Sequence, residues 1–212
     1  MTTARDLLIV AMDLEPARSV DQGSLSLTLA GAEAVDLLQA GTARLDAERI
    51  VPGDRPGADD PLLAEAASSL VRREPYESVE DWLWRRGRGL AATYEAAFES
   101  EGQLTRPHRR LASFRTGQAV LVDSADRSRA QARWSDREPV LVALATAAGL
   151  YDEPAGESQE TADDSAEDSE DVFDDTLATV LAAVNDAVME LEAVRQRKAV
   201  EDAAFDNVWR GL

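Results

Sequence analysis

Residues 82–90, WLWRRGRGL, set two tryptophans and three arginines around two glycines. Guanidinium forks match phosphate oxygens, and glycine lets backbone amides come close to an anion. Trp82, Arg85, Arg86 and Arg88 are therefore the candidate residues for holding an anionic headgroup. The competing reading packs Trp82 in the core and leaves the arginines merely solvated. Chemistry of other kinds lacks its parts. His108 is the only histidine and stands in RPHRR, where it reads as a solvated loop residue rather than a general base. There is no cysteine for a thiolate, a disulfide or a nucleophile. No GxSxG, HExxH, P-loop or GxGxxG pattern occurs. Paired carboxylates are found only in an acidic stretch where nothing would desolvate them or split their pKa values. The expectation is a protein that is not an enzyme, with no catalytic residue, no metal site and no cofactor.

Charge is distributed unevenly. The chain carries a net −19, but Asp152–Asp175 holds twelve acidic residues and no Lys or Arg, which leaves −7 for the rest. Residues 72–137 are rich in arginine instead, so local surface must decide the partner. Residues 152–172 read as an acidic, serine-rich linker with too little apolar surface to fold. Ser165 and Ser169 lie there in the acidic context of a phosphate acceptor. No apolar run reaches the length of a membrane span, and the N-terminal MTTARDLLIVAMDLE, bracketed by Asp6 and Asp13, does not read as a secretion signal. A cytoplasmic protein is expected.

The elements that must position the candidate residues are mainly helical. Arg5–Met12 is the first helix, and Ala17–Gly23 is turn material. Ser24 and Ser26 are candidate caps for a helix running through Ala40, with Gly41 as its stop. Ala43–Asp46 and Arg49–Val51 form a hairpin turning at Ala47-Glu48, and the Pro/Gly/Asp-rich loop 52–61 follows. Asp59 or Asp60 then caps a short helix facing inward with Leu62, Leu63, Ala66 and Leu70. Ser78 and Asp81 make a capping-box-like pair at the start of the helix bearing Trp82. That helix loosens at Gly87 and Gly89 and resumes to a stop at Gly102. A second hairpin is expected from Arg109–Arg115 and Gln118–Val122, then a polar helix from Ser124 through Trp134.

Pro139–Tyr151, PVLVALATAAGLY, has no polar stripe. It is expected to be the buried central helix, capped by Asp136, begun at Pro139 and stopped at Gly149. At about 1.5 Å per residue it is too short to span a bilayer. Asp174–Trp209 forms a last helix with Leu177, Leu181, Val184, Val188 and Leu191 at heptad-like spacing, docked on the bundle or paired with another chain. The expected organisation is a helical domain over 1–151, a linker over 152–172 and a C-terminal helix over 173–212.

The order of these pieces resembles the Golgi phosphoprotein 3 (GPP34) family. The resemblance rests on DLLIVAMD at 6–13, LAGAEAVDLLQAGTARLD at 29–46, DDPLLAEA at 59–66, RGLAATYEAAFESEGQL at 88–104 and PVLVALATAAGL at 139–150. It covers roughly residues 5–151. It implies an almost all-helical domain with a buried central helix and small hairpins. It also implies a non-enzymatic peripheral membrane protein that binds phosphatidylinositol 4-phosphate and, in eukaryotes, holds glycosyltransferases in the Golgi. Of the family's four headgroup contacts, the tryptophan falls near Asp21, one arginine on Ala30, one on Arg88 and one on Ala91. Arg88 alone is retained, with Arg85 and Arg86 as neighbouring sources of charge. The hairpin LASFRTGQAVLVD has a polar tip that does not favour membrane insertion.

The leading expectation is a phosphoinositide-like headgroup binder or adaptor with a protein partner, with homo-oligomers open. The alternative is a regulatory, winged-helix-like interaction module. The remaining −7 argues against nucleic acid as the partner.

Overall fold

The computed structural model describes residues 2–14, 21–55, 59–105, 119–151 and 168–210. His108, the expected strand 109–115, Ser165 and most of the acidic stretch lie outside the described residues. In chain order the elements are α1 (Thr3–Asp13), α2 (Gln22–Gln39), β1 (Ala43–Asp46), β2 (Arg49–Pro52), α3 (Pro61–Ser68) and α4 (Val79–Arg86). They continue as α5 (Leu90–Ser100), β3 (Leu104–Thr105), β4 (Val120–Leu121), α6 (Ala125–Ser135), α7 (Pro139–Ala147) and α8 (Asp168–Arg210). The fold is mainly α with two small antiparallel hairpins, as the composition and periodicity imply.

Local signals place most boundaries. Asp60 caps α3, Ser78 caps α4 and Ser124 caps α6, each accepting from a backbone N–H within the next three residues. Gly41, Gly102 and Gly149 follow their helices with left-handed φ. Two caps and one strand differ from expectation. Asp21 rather than Ser24 or Ser26 caps α2, accepting from the Ser24 N–H at 2.7 Å; the Ser24 hydroxyl also donates to the Asp21 carboxylate, at 3.0 Å, and the Ser26 hydroxyl to the Gln22 carbonyl, at 2.6 Å. Glu138 rather than Asp136 caps α7. In the second hairpin β4 pairs with Leu104–Thr105, ahead of the expected first strand. α8 starts at Asp168, inside the stretch read as linker.

The central helix is α2, not α7. Residues 24–37 of α2 are buried on every side, with α1, α3, α4, α5, α7 and α8 packed around them. α7 buries Val140, Leu141, Leu144 and Ala145, while Val142, Ala143, Thr146 and Ala147 are only half-buried. The physical reason is that small apolar side chains tolerate partial exposure, whereas the polar residues of α2 are buried because each finds a partner. Thr28 donates to the Ser24 carbonyl at 2.8 Å, Glu33 is held by Arg86, and Asp36 accepts from Thr3 and Ala4 N–H at 2.9 and 3.2 Å. At Gly31 a Cβ would lie 2.3 Å from Val184 Cγ2 and 3.7 Å from Leu144 Cδ2, so glycine lets α7 and α8 close on the α2 backbone.

The buried acids give a pH prediction. Burial pushes the Asp36 carboxyl up to about 6 from 3.8, against the two backbone donors that favour its charge, and burial likewise raises Asp6 and Glu33. A folded state that holds its proton more readily than the unfolded chain has this stability at low pH and loses it as pH rises through the folded pKa. For Asp36 the gap corresponds to about 2–3 kcal/mol. The urea midpoint should therefore be higher at about pH 5 than at about pH 7.5, and Asp36→Asn should flatten the slope. A midpoint that climbs steadily over that interval would contradict this account.

Candidate functional site

The four candidate residues lie on one elbow, but they do not share one surface. α4 runs from its Ser78 cap to Gly87, and Gly89, at φ +69°, starts α5 with no side-chain cap. Trp82 is fully buried, and its indole N–H donates to the Ala30 carbonyl at 3.0 Å. Arg86 points inward, donating from Nε and Nη2 to the fully buried Glu33 at 2.8 and 3.0 Å and from Nη1 to Glu65 at 2.7 Å. Arg85 turns another way. It forks onto Glu77 at 2.6 and 2.7 Å, donates to the Ser69 carbonyl at 3.2 Å and stacks 5.2 Å over the Trp82 ring. Three of the four thus serve the fold.

Arg88 is different: it is exposed and makes no salt bridge among the described residues. It lines a groove of about 520 Å³ whose other walls include Gly23, Ser26 and Leu27 of α2, Trp84 of α4, Ala92 of α5 and Leu191 of α8. The groove is mainly apolar, with Arg88 as the charged group on its wall. Such a site offers one guanidinium to an oxyanion and a ring and aliphatic surface to whatever carries it.

The three positions where the resemblance loses a headgroup contact are filled in specific ways. Ala30 and Ala91 are fully buried, and the Ala91 N–H donates to Ser26 Oγ at 3.1 Å, so no space is left for a longer side chain or an anion at that depth. Asp21 is half-exposed. Burial pushes its carboxyl up, but the Ser24 N–H and hydroxyl and the Arg195 guanidinium outweigh this and hold it below the ordinary range. Trp84, Leu191 and Arg195 were not read as site residues from the sequence. A signal existed for the last two: Leu191 ends the apolar stripe of α8, and Arg195 is the next position along it.

Among the described residues no group of His, Cys, Asp and Glu stands close enough to hold a metal ion. None of the described helices is long and apolar enough to cross a membrane. No curated protein matches the chain. The family model described as Golgi phosphoprotein 3 (GPP34) matches residues 4–191, from α1 through the buried stripe of α8 and past the 151 expected from the sequence, and the chain belongs to that family.

Proposed function

We propose that this chain is a non-catalytic adaptor of the Golgi phosphoprotein 3 kind that docks on the cytoplasmic face of a membrane, taking an anionic headgroup of phosphatidylinositol 4-phosphate type at Arg88. The observation that carries this reading is that Arg88 stands exposed between two glycines on the wall of a groove, with no salt bridge among the described residues, while Arg85 and Arg86 beside it are committed to acids. The Arg86 guanidinium is taken up by Glu33 and Glu65, and that of Arg85 by a fork onto Glu77 and by the Ser69 carbonyl, so either must give up a partner to bind phosphate, and Arg88 need not. One charge-assisted contact contributes about 1.5–3 kcal/mol, which supports weak and salt-sensitive docking rather than tight anchoring. The chain's −19 net charge favours a local, headgroup-specific contact over general attraction to anionic surfaces or nucleic acid.

Flotation with phosphatidylcholine vesicles containing phosphatidylinositol 4-phosphate tests the reading. Arg88→Ala should lower binding about tenfold, near the energy of one such contact, with stability changed by less than about 0.5 kcal/mol. Arg72→Ala, exposed and outside the groove, is the control. Equal losses from both variants would mean diffuse charge attraction. No binding by the unmutated protein at low salt would remove the lipid and leave the apolar groove wall of Leu27, Trp84 and Leu191 to a protein partner.

A further inference from the structure

Helix α8 is fixed on the body through Val180, Val184 and Ala187, all essentially without exposure. Its next turns carry side chains to the groove that Arg88 lines. Leu191 forms part of the groove wall, and Arg195, one turn on, reaches the start of α2. The approach is close: a Cβ on Gly23 would lie 2.5 Å from Arg195 Nη2 and 2.9 Å from Leu191 Cδ2, so these side-chain ends rest against the bare Gly23 backbone. Gly23 itself lines the groove, so the Arg195 guanidinium sits at its edge. Arg195 lies beyond residue 191, where the family match ends.

We propose that Arg195 is the second cation of the headgroup site, delivered by α8 in place of the arginines that Ala30 and Ala91 lack. This rests on the reading of Arg88 given above. Arg195 now pairs with Asp21, but both side chains are about 40% exposed, and an ion pair in that setting contributes little. A guanidinium has five N–H donors, and one carboxylate leaves donors free for a phosphate oxygen. Asp21 opposes the anion in this arrangement: its charge repels the phosphate and competes for Arg195. The two partners of one ion pair should therefore change binding in opposite directions, which a purely structural pair would not do.

The test uses the full chain and phosphatidylcholine vesicles with and without phosphatidylinositol 4-phosphate, with thermal midpoints measured for every variant. Arg195→Ala should weaken binding about tenfold, as Arg88→Ala does. Asp21→Asn should tighten it several-fold, because Asn keeps a side-chain oxygen for the Ser24 N–H while removing the opposing charge. If both Asp21→Asn and Arg195→Ala weaken binding, the pair only holds α8 in place and the proposal fails. If Arg88→Ala weakens binding and Arg195→Ala does not, the proposal fails and the reading of Arg88 stands. If the unmutated protein does not bind these vesicles, both fail. Competition by soluble inositol 1,4-bisphosphate, with little from equal inorganic phosphate, supports the lipid headgroup as the source. Equal competition with Arg195 still required supports the same pair of cations holding free phosphate.

Discussion

Leu144→Asp is expected to unfold the protein. Leu144 has no exposed surface, and its Cδ2 lies against Gly31 at the point where α7 and α8 close on α2. The substitution removes about 2–5 kcal/mol of leucine packing, and it puts a carboxylate into the hydrophobic core. Total stabilities of domains of this kind are about 5–15 kcal/mol, so the combined loss is comparable to the whole. Loss of the cooperative urea transition and of near-ultraviolet ellipticity would show it. A variant that remains soluble with a normal transition would mean that α7 does not pack as described.

The second large effect concerns Arg86, two positions before Arg88. Arg86→Ala should cost about 3–5 kcal/mol, because it leaves Glu33 ionised and uncompensated in a fully buried site where, among the described residues, the Tyr94 hydroxyl at 3.1 Å is the remaining donor. Burial already raises the Glu33 carboxyl and Arg86 opposes that rise, so in the variant the group will take up a proton at higher pH. A raised folded pKa removes stability as pH rises, so the defect should be smallest in acid and grow toward neutrality. Adding Glu33→Leu to Arg86→Ala should restore much of the loss, since replacing both partners of a buried pair is often near neutral. A cost below about 1 kcal/mol for Arg86→Ala alone would refute the buried-pair account. The contrast with Arg88→Ala is the sharper result: two arginines on one elbow, one affecting folding and the other binding.

That contrast marks where the sequence stops being informative. WLWRRGRGL shows three arginines near a glycine break, and each is an equally good phosphate ligand by type. Successive residues of a helix point about 100° apart. Which guanidinium meets Glu33, which meets Glu77 and which meets water is therefore set by what α2 and the segment before α4 bring alongside. The reading of the central helix failed for a related reason. PVLVALATAAGL is the most apolar helical segment in the chain, but burial is assigned by partners, and the polar residues of α2 have theirs in α1 and α4.

The sequence by itself determined the mainly helical class, the hairpin at β1 and β2, the glycine stops, the caps at Ser78 and Ser124, and a cap at Asp59 or Asp60 that the structure places at Asp60. These depend on hydrogen bonds and dihedral preferences within a few residues, which residue type and spacing encode directly. The order of the apolar segments also carried the family, because each must bury the same face in the same succession. Only the tertiary structure decided that α2 is the axis, that Trp82 and Arg86 belong to the core, and that Arg88 faces a groove shared with Leu191 near Arg195. Those assignments join residues far apart in the chain, and they depend on how α8 seats on α2, where a missing side chain at Gly31 and Gly23 admits Val184, Leu191 and Arg195.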